Sequence, residues 1–223
     1  MFIKKMFAIC VFLCLDLILF VWIYTYKNEE TLTVSTTYYE NVVAITFDDG
    51  PHSVYTEELL DGLKERGVKA SFFVVGQRIP GNEDLIKRMH DEGHLIGNHT
   101  YSHVQLDSIN SVTACEEVEK TNAVIEKITG EAVEYIRPPY GLYDLELECS
   151  IDLSKVLWTV DPRDWDTTDV NKIVESVVNC VKDRDIILMH DIYPTSVSAA
   201  LAIIDKLQDR GFVFVTVDEL MVK

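Results

Sequence analysis

Five short stretches of this chain carry residue types that do hydrolytic chemistry. Asp48 and Asp49 sit in TFDDGP, His99 and His103 in HTYSH, Arg137 in RPPYG, Asp164 in DPRDW, and Leu188 and His190 in IILMH. Two histidines four apart can share a face on a helical turn, a spacing used to hold zinc. With one upstream aspartate they make a ligand set of two imidazoles and one carboxylate. That set leaves coordination positions open for water, as a catalytic rather than a structural site requires. Adjacent carboxylates on extended backbone point to opposite sides. One of Asp48 and Asp49 can therefore ligate while the other stays free as a base.

The remaining pieces supply partners. His190 ends an apolar run, and Asp164 could accept a hydrogen bond from one of its ring nitrogens, fixing the tautomer and raising its pKa. Arg137 precedes Pro138 and Pro139, whose fixed backbone makes a rigid turn from which a guanidinium could pair with Asp48. Taken singly, each motif has an ordinary explanation: a turn, a surface histidine pair, a core histidine, a strand-end arginine. Together they form an acid, a base and a metal-ligand set, and a bland reading must explain each separately.

The elements that position them alternate. Val42–Phe47 is a continuous apolar run suited to a buried parallel strand. Tyr55–Arg66 has helical spacing and closes at Gly67. Lys69–Val75 reads as a strand, and Asn82 starts a helix to Glu92 closed by Gly93. A short strand at His94–Asn98, a helix at Ser111–Ile128 and a strand at Val133–Arg137 follow. Then come strands at Lys155–Val160, Asp185–Met189 and Phe212–Val217, separated by helices at Val170–Val181 and Ser196–Gln208. Repeated strand–helix units imply an α/β domain with a parallel sheet, doubly wound or closed as a barrel. The chemical motifs fall at the C-terminal ends of the strands, the edge where such folds build active sites.

Bulk properties narrow the class. The chain has 223 residues and a formal charge of −17. That charge argues against nucleic-acid binding, which needs a basic surface, and suits a neutral or cationic polymer. No glycine-rich phosphate loop or dinucleotide fingerprint is present, so a nucleotide cofactor is not expected. Met6 to Tyr26 is almost wholly apolar, broken by Asp16, preceded by Lys4 and Lys5, and leaves through Trp22, Tyr24 and Tyr26. Its length matches the roughly 20 residues of a bilayer-spanning helix. The expected organisation is a signal-anchor at 1–27 with the N-terminus cytoplasmic, a linker at 28–40 and an extracytoplasmic domain at 41–223; secretion after cleavage is the alternative. Cys115, Cys149 and Cys180 are left for the domain. They are read as isolated, mostly buried thiols or as one disulfide plus a thiol, and no metal site is built from them. Asn98-His99-Thr100 fits a glycosylation sequon and is read as accidental. His52, His90 and His94 are assigned structural or solvent-facing positions.

In their order, these motifs resemble the five motifs of the polysaccharide deacetylase family (NodB homology, carbohydrate esterase family 4), from about Asn41 to Gly211. The resemblance implies a distorted (β/α) barrel, here preceded by one transmembrane helix. It implies that Asp49, His99 and His103 bind a divalent metal, usually Zn2+, with Co2+ or another ion as alternatives. Asp48 becomes the general base held by Arg137, and His190 the general acid oriented by Asp164. The backbone N–H of Tyr140 helps to stabilise the oxyanion, and Trp165 and Leu188 line a pocket for the acetyl methyl. Some relatives carry Asn in place of the second aspartate and are associated with muramic-acid chemistry; this chain keeps Asp49. The expected activity is removal of N-acetyl groups from N-acetylglucosamine in a cell-wall polymer such as peptidoglycan. The alternatives are a chitooligosaccharide deacetylase, a xylan O-acetyl esterase, a non-catalytic carbohydrate-binding relative, and a two-histidine-one-carboxylate iron oxygenase. The last leaves Asp48, Arg137 and the Asp164–His190 pair without roles.

Overall fold

In the computed structural model, residues 41–142 and 152–221 are described. The first strand explains the sheet. β1 (Val42–Asp48) is apolar on both faces and buried after its first residue, as a strand flanked by parallel neighbours must be. It pairs in parallel with β2 (Ser71–Val74) on one side and β6 (Ile186–His190) on the other. Beyond β2 lie β3 (Leu95–Asn98), β4 (Tyr135–Ile136) and β5 (Ser154–Lys155), giving the order β5-β4-β3-β2-β1-β6. β7 (Val213–Phe214) pairs with the start of β1.

The sheet is curled. After β5 leaves β4, the chain crosses to the far edge, where Val160 bridges Ile187 of β6. The result is a curled, parallel (β/α) half-barrel. Helices α1 (Tyr55–Arg66), α2 (Glu83–Asp91), α3 (Ser111–Thr129), α4 (Val170–Val178), α5 (Pro194–Asp209) and α6 (Val217–Met221) accompany the strands. α1 and α5 bury Leu59, Leu60 and Leu63 together with Ala199, Ala200, Ile203, Ile204 and Leu207 in the main core. α1 ends at Gly67, whose φ of 63° closes the helix in left-handed backbone.

Register places the chemistry. Asp48 lies opposite His190 across β1 and β6, and opposite Phe73 across β1 and β2. Val74 faces Asn98, and Asn98 faces Ile136. Asp48, His99, Arg137 and His190 therefore end four strands at one edge.

Several expectations need correction. Lys155–Val160 is not one strand, because only Ser154–Lys155 pairs with β4 before the chain crosses the sheet. Phe212–Val217 is cut to two residues, and Val217 instead opens α6 with its N–H donated to Ser71 Oγ. The helix from Val170 stops at Val178. Cys115 is disulfide-bonded and Cys180 is free and exposed, so three buried thiols is not the arrangement. Among the described residues no helix is long and apolar enough to cross a membrane. The expected signal-anchor, the linker and Cys149 lie outside the described residues.

Candidate metal centre and catalytic cleft

β1 delivers both aspartates, and a change of backbone hand separates them. Asp48 is the last strand residue, whereas Asp49 has φ of 75°. Asp48 thus keeps its strand direction toward Arg137, and Asp49 swings its carboxylate toward two histidines. Asp49 Oδ1 lies 3.5 Å from His99 Nε2 and 3.1 Å from His103 Nε2. It lacks the alignment of a hydrogen bond to either and is buried without a partner. One ligand atom from each of the three residues falls within 4.8 Å of the others. A buried acceptor left unpaired among imidazole nitrogens fits a divalent cation, and these three residues could hold one.

The histidine pair is not on a helix. HTYSH is a loop in which Thr100 and His103 have φ of 63° and 59°. Left-handed backbone is costly for side-chain-bearing residues, so the surroundings must hold it. Glu117 of α3 does much of this: its Oε2 accepts from Tyr101 N, Ser102 N and Ser102 Oγ. Gly76 N and Gln77 N donate to the carbonyls of Thr100 and Tyr101. Asn98 is fully buried, accepting from Thr100 N and donating Nδ2 to Val118 O and Asn122 Oδ1. A buried, hydrogen-bonded amide cannot carry a glycan. His99 Nδ1 pairs with Arg137 O at 2.5 Å, which assigns the proton to Nδ1 and leaves the Nε2 lone pair facing Asp49.

Arg137 is fully buried and uses four of its five N–H donors. Its Nη1 donates to Asp48 Oδ1 at 2.8 Å and Thr46 Oγ1 at 2.6 Å. Nε and Nη2 reach Val156 O and Leu157 O, and the guanidinium lies 4.2 Å from the Phe73 ring centroid. Across the cleft, Asp164 accepts from His190 Nδ1 and from His190 N, both at 2.8 Å. One carboxylate thus fixes the ring and the backbone of the same histidine.

Environment tunes these groups. Burial alone would raise the Asp49 carboxyl, but His103, His99 and His190 outweigh it and hold it at about 2. Burial alone would lower His190, but the Asp164 hydrogen bond and charge, with Asp48 and Asp49 behind them, lift it to about 9. Burial holds His99 below its ordinary value against the pull of Asp48 and Asp49. A neutral ligand histidine and a protonated cleft histidine suit different tasks.

The two halves face one cavity of about 440 Å³ that takes in Asp48, Asp49, His99, His103 and His190. Tyr140, Trp165 and Leu188 line it as well. Tyr140 has φ of 63° and stacks edge-on with His103 at 5.1 Å. Trp165 is 50% exposed at the mouth, and Leu188 is buried. The structure thus brings all the sequence-selected residues together, with Arg137 and Asp164 directly behind Asp48 and His190. Trp158, Asp161 and Tyr193 also line the cavity; Asp161 was visible in DPRDW, whereas nothing local marks the other two. Glu117 was missed because its partners lie 15 and 16 residues away. A larger cavity, about 570 Å³, opens at the N-terminal ends of β3 and β4. Its lining includes Glu131, Glu134, Asp218 and Glu219, but no metal-ligand set lies there among the described residues.

Comparison with known proteins follows the same residues. The sequence profile "Polysaccharide deacetylase" matches residues 36–151. The chain is 41% identical over 193 residues to the peptidoglycan-N-acetylmuramic acid deacetylase PdaC of Bacillus subtilis, covering 86% of this chain and 40% of that protein. It is 37% identical over 178 residues to the peptidoglycan-N-acetylglucosamine deacetylase PgdA of Listeria monocytogenes, covering 80% and 38%. It therefore spans about two fifths of the length of these curated relatives. The solved PdaC structure superposes with a TM-score of 0.78, covering 81% of this chain and 90% of that one. A family 4 acetyl xylan esterase from Clostridium thermocellum, solved with a cobalt ion, is 38% identical with a TM-score of 0.76, covering 81% and 90%.

Proposed function

The chain belongs to the polysaccharide deacetylase family, and from that premise we propose that it is a metal-dependent hydrolase removing N-acetyl groups from N-acetylglucosamine residues of peptidoglycan. One observation carries the reading. The buried, unpartnered Asp49 Oδ1 faces His99 and His103 in the same cavity that holds Asp48 paired with Arg137 and His190 paired with Asp164.

Asp49, His99 and His103 would hold the divalent ion, Zn2+ or Co2+ by donor type. Such an ion supplies Lewis-acid polarisation of a carbonyl and makes a water easier to deprotonate. Asp48, aimed by Arg137, takes a proton from the attacking water as its oxygen bonds to the acetyl carbon. The Tyr140 N–H stabilises the charge developing on the carbonyl oxygen. His190, protonated near neutrality and held by Asp164, delivers a proton to the nitrogen as the C–N bond breaks. Acetate and a free sugar amine leave. Trp165 and Leu188 bound the space for the methyl.

Two observations favour neighbouring readings. PdaC is named for N-acetylmuramic acid, so the acetylated sugar in peptidoglycan is an open choice of two. An esterase shares the fold, so an O-acetyl substrate is the chemical alternative. Incubation with peptidoglycan, chitooligosaccharides and acetylated xylan, with mass spectrometry of the digested products, separates these. Loss of acetyl mass from glucosamine residues supports the proposal, loss from muramic acid redirects it, and release from xylan alone overturns the amide reading. The apolar segment Met6–Tyr26 supports placing the domain on the outer face of the cell membrane. Membrane fractionation, with protease accessibility of the domain on intact cells, tests that placement.

A further inference from the structure

Immediately after His190 the chain buries a second carboxyl that the mechanism does not use. Asp191 is 0% exposed. Its Oδ2 accepts from Thr56 Oγ1 at 2.5 Å, and Thr56 Oγ1 in turn accepts from His52 N at 2.8 Å. The other oxygen, Oδ1, is buried without a hydrogen-bond partner. Both oxygens press on Gly50: a Cβ built there would stand 2.3 and 2.4 Å from them, so only glycine admits the contact. Gly50 O also accepts from Val75 N, which leaves the turn little freedom on its other side.

These contacts have a direction. Gly50 and His52 flank the turn that follows Asp49, and Asp49 itself holds a left-handed φ of 75°. The carboxyl at the end of β6 grips the turn at the Gly50 Cα and, through Thr56, at the His52 N–H. Burying a carboxyl this deeply costs free energy, and burial lifts its pKa to about 7. A methyl group would fill space more cheaply, which points to a positional use for the acid.

We propose that Asp191 is a positioning residue for the metal ligand Asp49, setting the Asp49 carboxylate at a fixed separation from His99, His103 and His190 by clamping the Gly50–His52 turn through Thr56. The inference rests on the metal-binding reading of Asp49, His99 and His103. Asp191 is not among the residues that line the cleft. Its action is felt as metal affinity and turnover, as for other residues that orient ligands, where removal typically weakens metal binding about 10- to 100-fold.

The test titrates Co2+ into the metal-free full-length chain in detergent, following the visible cobalt spectrum, for wild type, Asp191→Ala, Asp191→Asn, Thr56→Val and Thr56→Ser. Asp191→Ala and Thr56→Val are expected to weaken Co2+ binding about tenfold or more. Asp191→Asn and Thr56→Ser, which keep the acceptor and the hydroxyl, are expected within about threefold of wild type. Turnover should follow affinity with KM unchanged. Wild-type Co2+ affinity in both Asp191→Ala and Thr56→Val would overturn the proposal, as would equal losses in Thr56→Val and Thr56→Ser. If Asp191→Ala does not fold, the Thr56 pair decides alone. A wild type that binds no Co2+ overturns the metal reading itself, an outcome seen before any variant is compared.

Discussion

Replacing Asp164 by asparagine should convert His190 from a proton donor into a neutral imidazole. Asp164 makes two hydrogen bonds to one residue, to Nδ1 and to the backbone N–H. Asparagine can accept only one of them, and its NH2 must face a donor. The hydrogen-bond defect alone costs about 1–3 kcal/mol when buried. The larger effect is electrostatic. His190 stands at about 9 against an ordinary 6.5, with burial opposing the rise. That shift corresponds to about 3 kcal/mol of coupling at the order-of-magnitude level. Its sign follows from the direction. Because the folded value is raised, the stability is fully present below about 6.5 and is lost as pH rises through about 9. Asp164→Asn should therefore destabilise the protein more at pH 6 than at pH 10. With that carboxylate gone, only the charges of Asp48 and Asp49 oppose burial, and the His190 pKa falls. The alkaline limb of kcat/KM should move from near 9 toward lower pH, with a loss of turnover on its alkaline side. Urea unfolding at both pH values and a pH–rate profile for acetate release check the two claims. An alkaline limb that stays in place in Asp164→Asn would refute the assignment of His190 as the acid.

Arg137→Met strips a buried cation from the Asp48 carboxylate, which is 3% exposed, and frees Thr46 Oγ1 and two carbonyls. Urea denaturation should show a loss of about 3–5 kcal/mol, and a change under about 1 kcal/mol would refute the pairing as a stabilising one. Glu117→Ala removes the acceptor that takes three donors from the HTYSH loop. Co2+ titration should show affinity weakened about 10- to 100-fold, while unchanged affinity would mean that the loop holds itself.

What the sequence made legible was the part governed by single strands. The run Val42–Phe47 and the motifs after each strand placed the chemical residues at one sheet edge, and the register of β1, β2, β3 and β6 aligns them there. The pairings of Arg137 with Asp48 and Asp164 with His190 were also readable, because oppositely charged groups gathered at one sheet edge have few other partners, even though β2 and β3 separate β1 from β4. What escaped is set by distant contacts. HTYSH keeps helical spacing without a helix because Glu117 and Asn98 stabilise left-handed backbone at Thr100 and His103. KVLWTV is apolar enough for a strand but spends its length crossing between the two edges of the sheet. The grip of Asp191 on Thr56 joins residues 135 apart, beyond any local pattern.

The most direct measurement is acetate release from N-acetylglucosamine oligomers and peptidoglycan by the full-length chain, with bound metal assayed alongside, before chelation, after chelation and after restoring Zn2+ or Co2+. Release should vanish with the metal and return with it. Asp48→Asn should bind metal as wild type does yet lose about 10²–10⁴ in turnover. Release indifferent to chelation, or an Asp48→Asn variant as active as wild type, would contradict metal-assisted hydrolysis with Asp48 as the base.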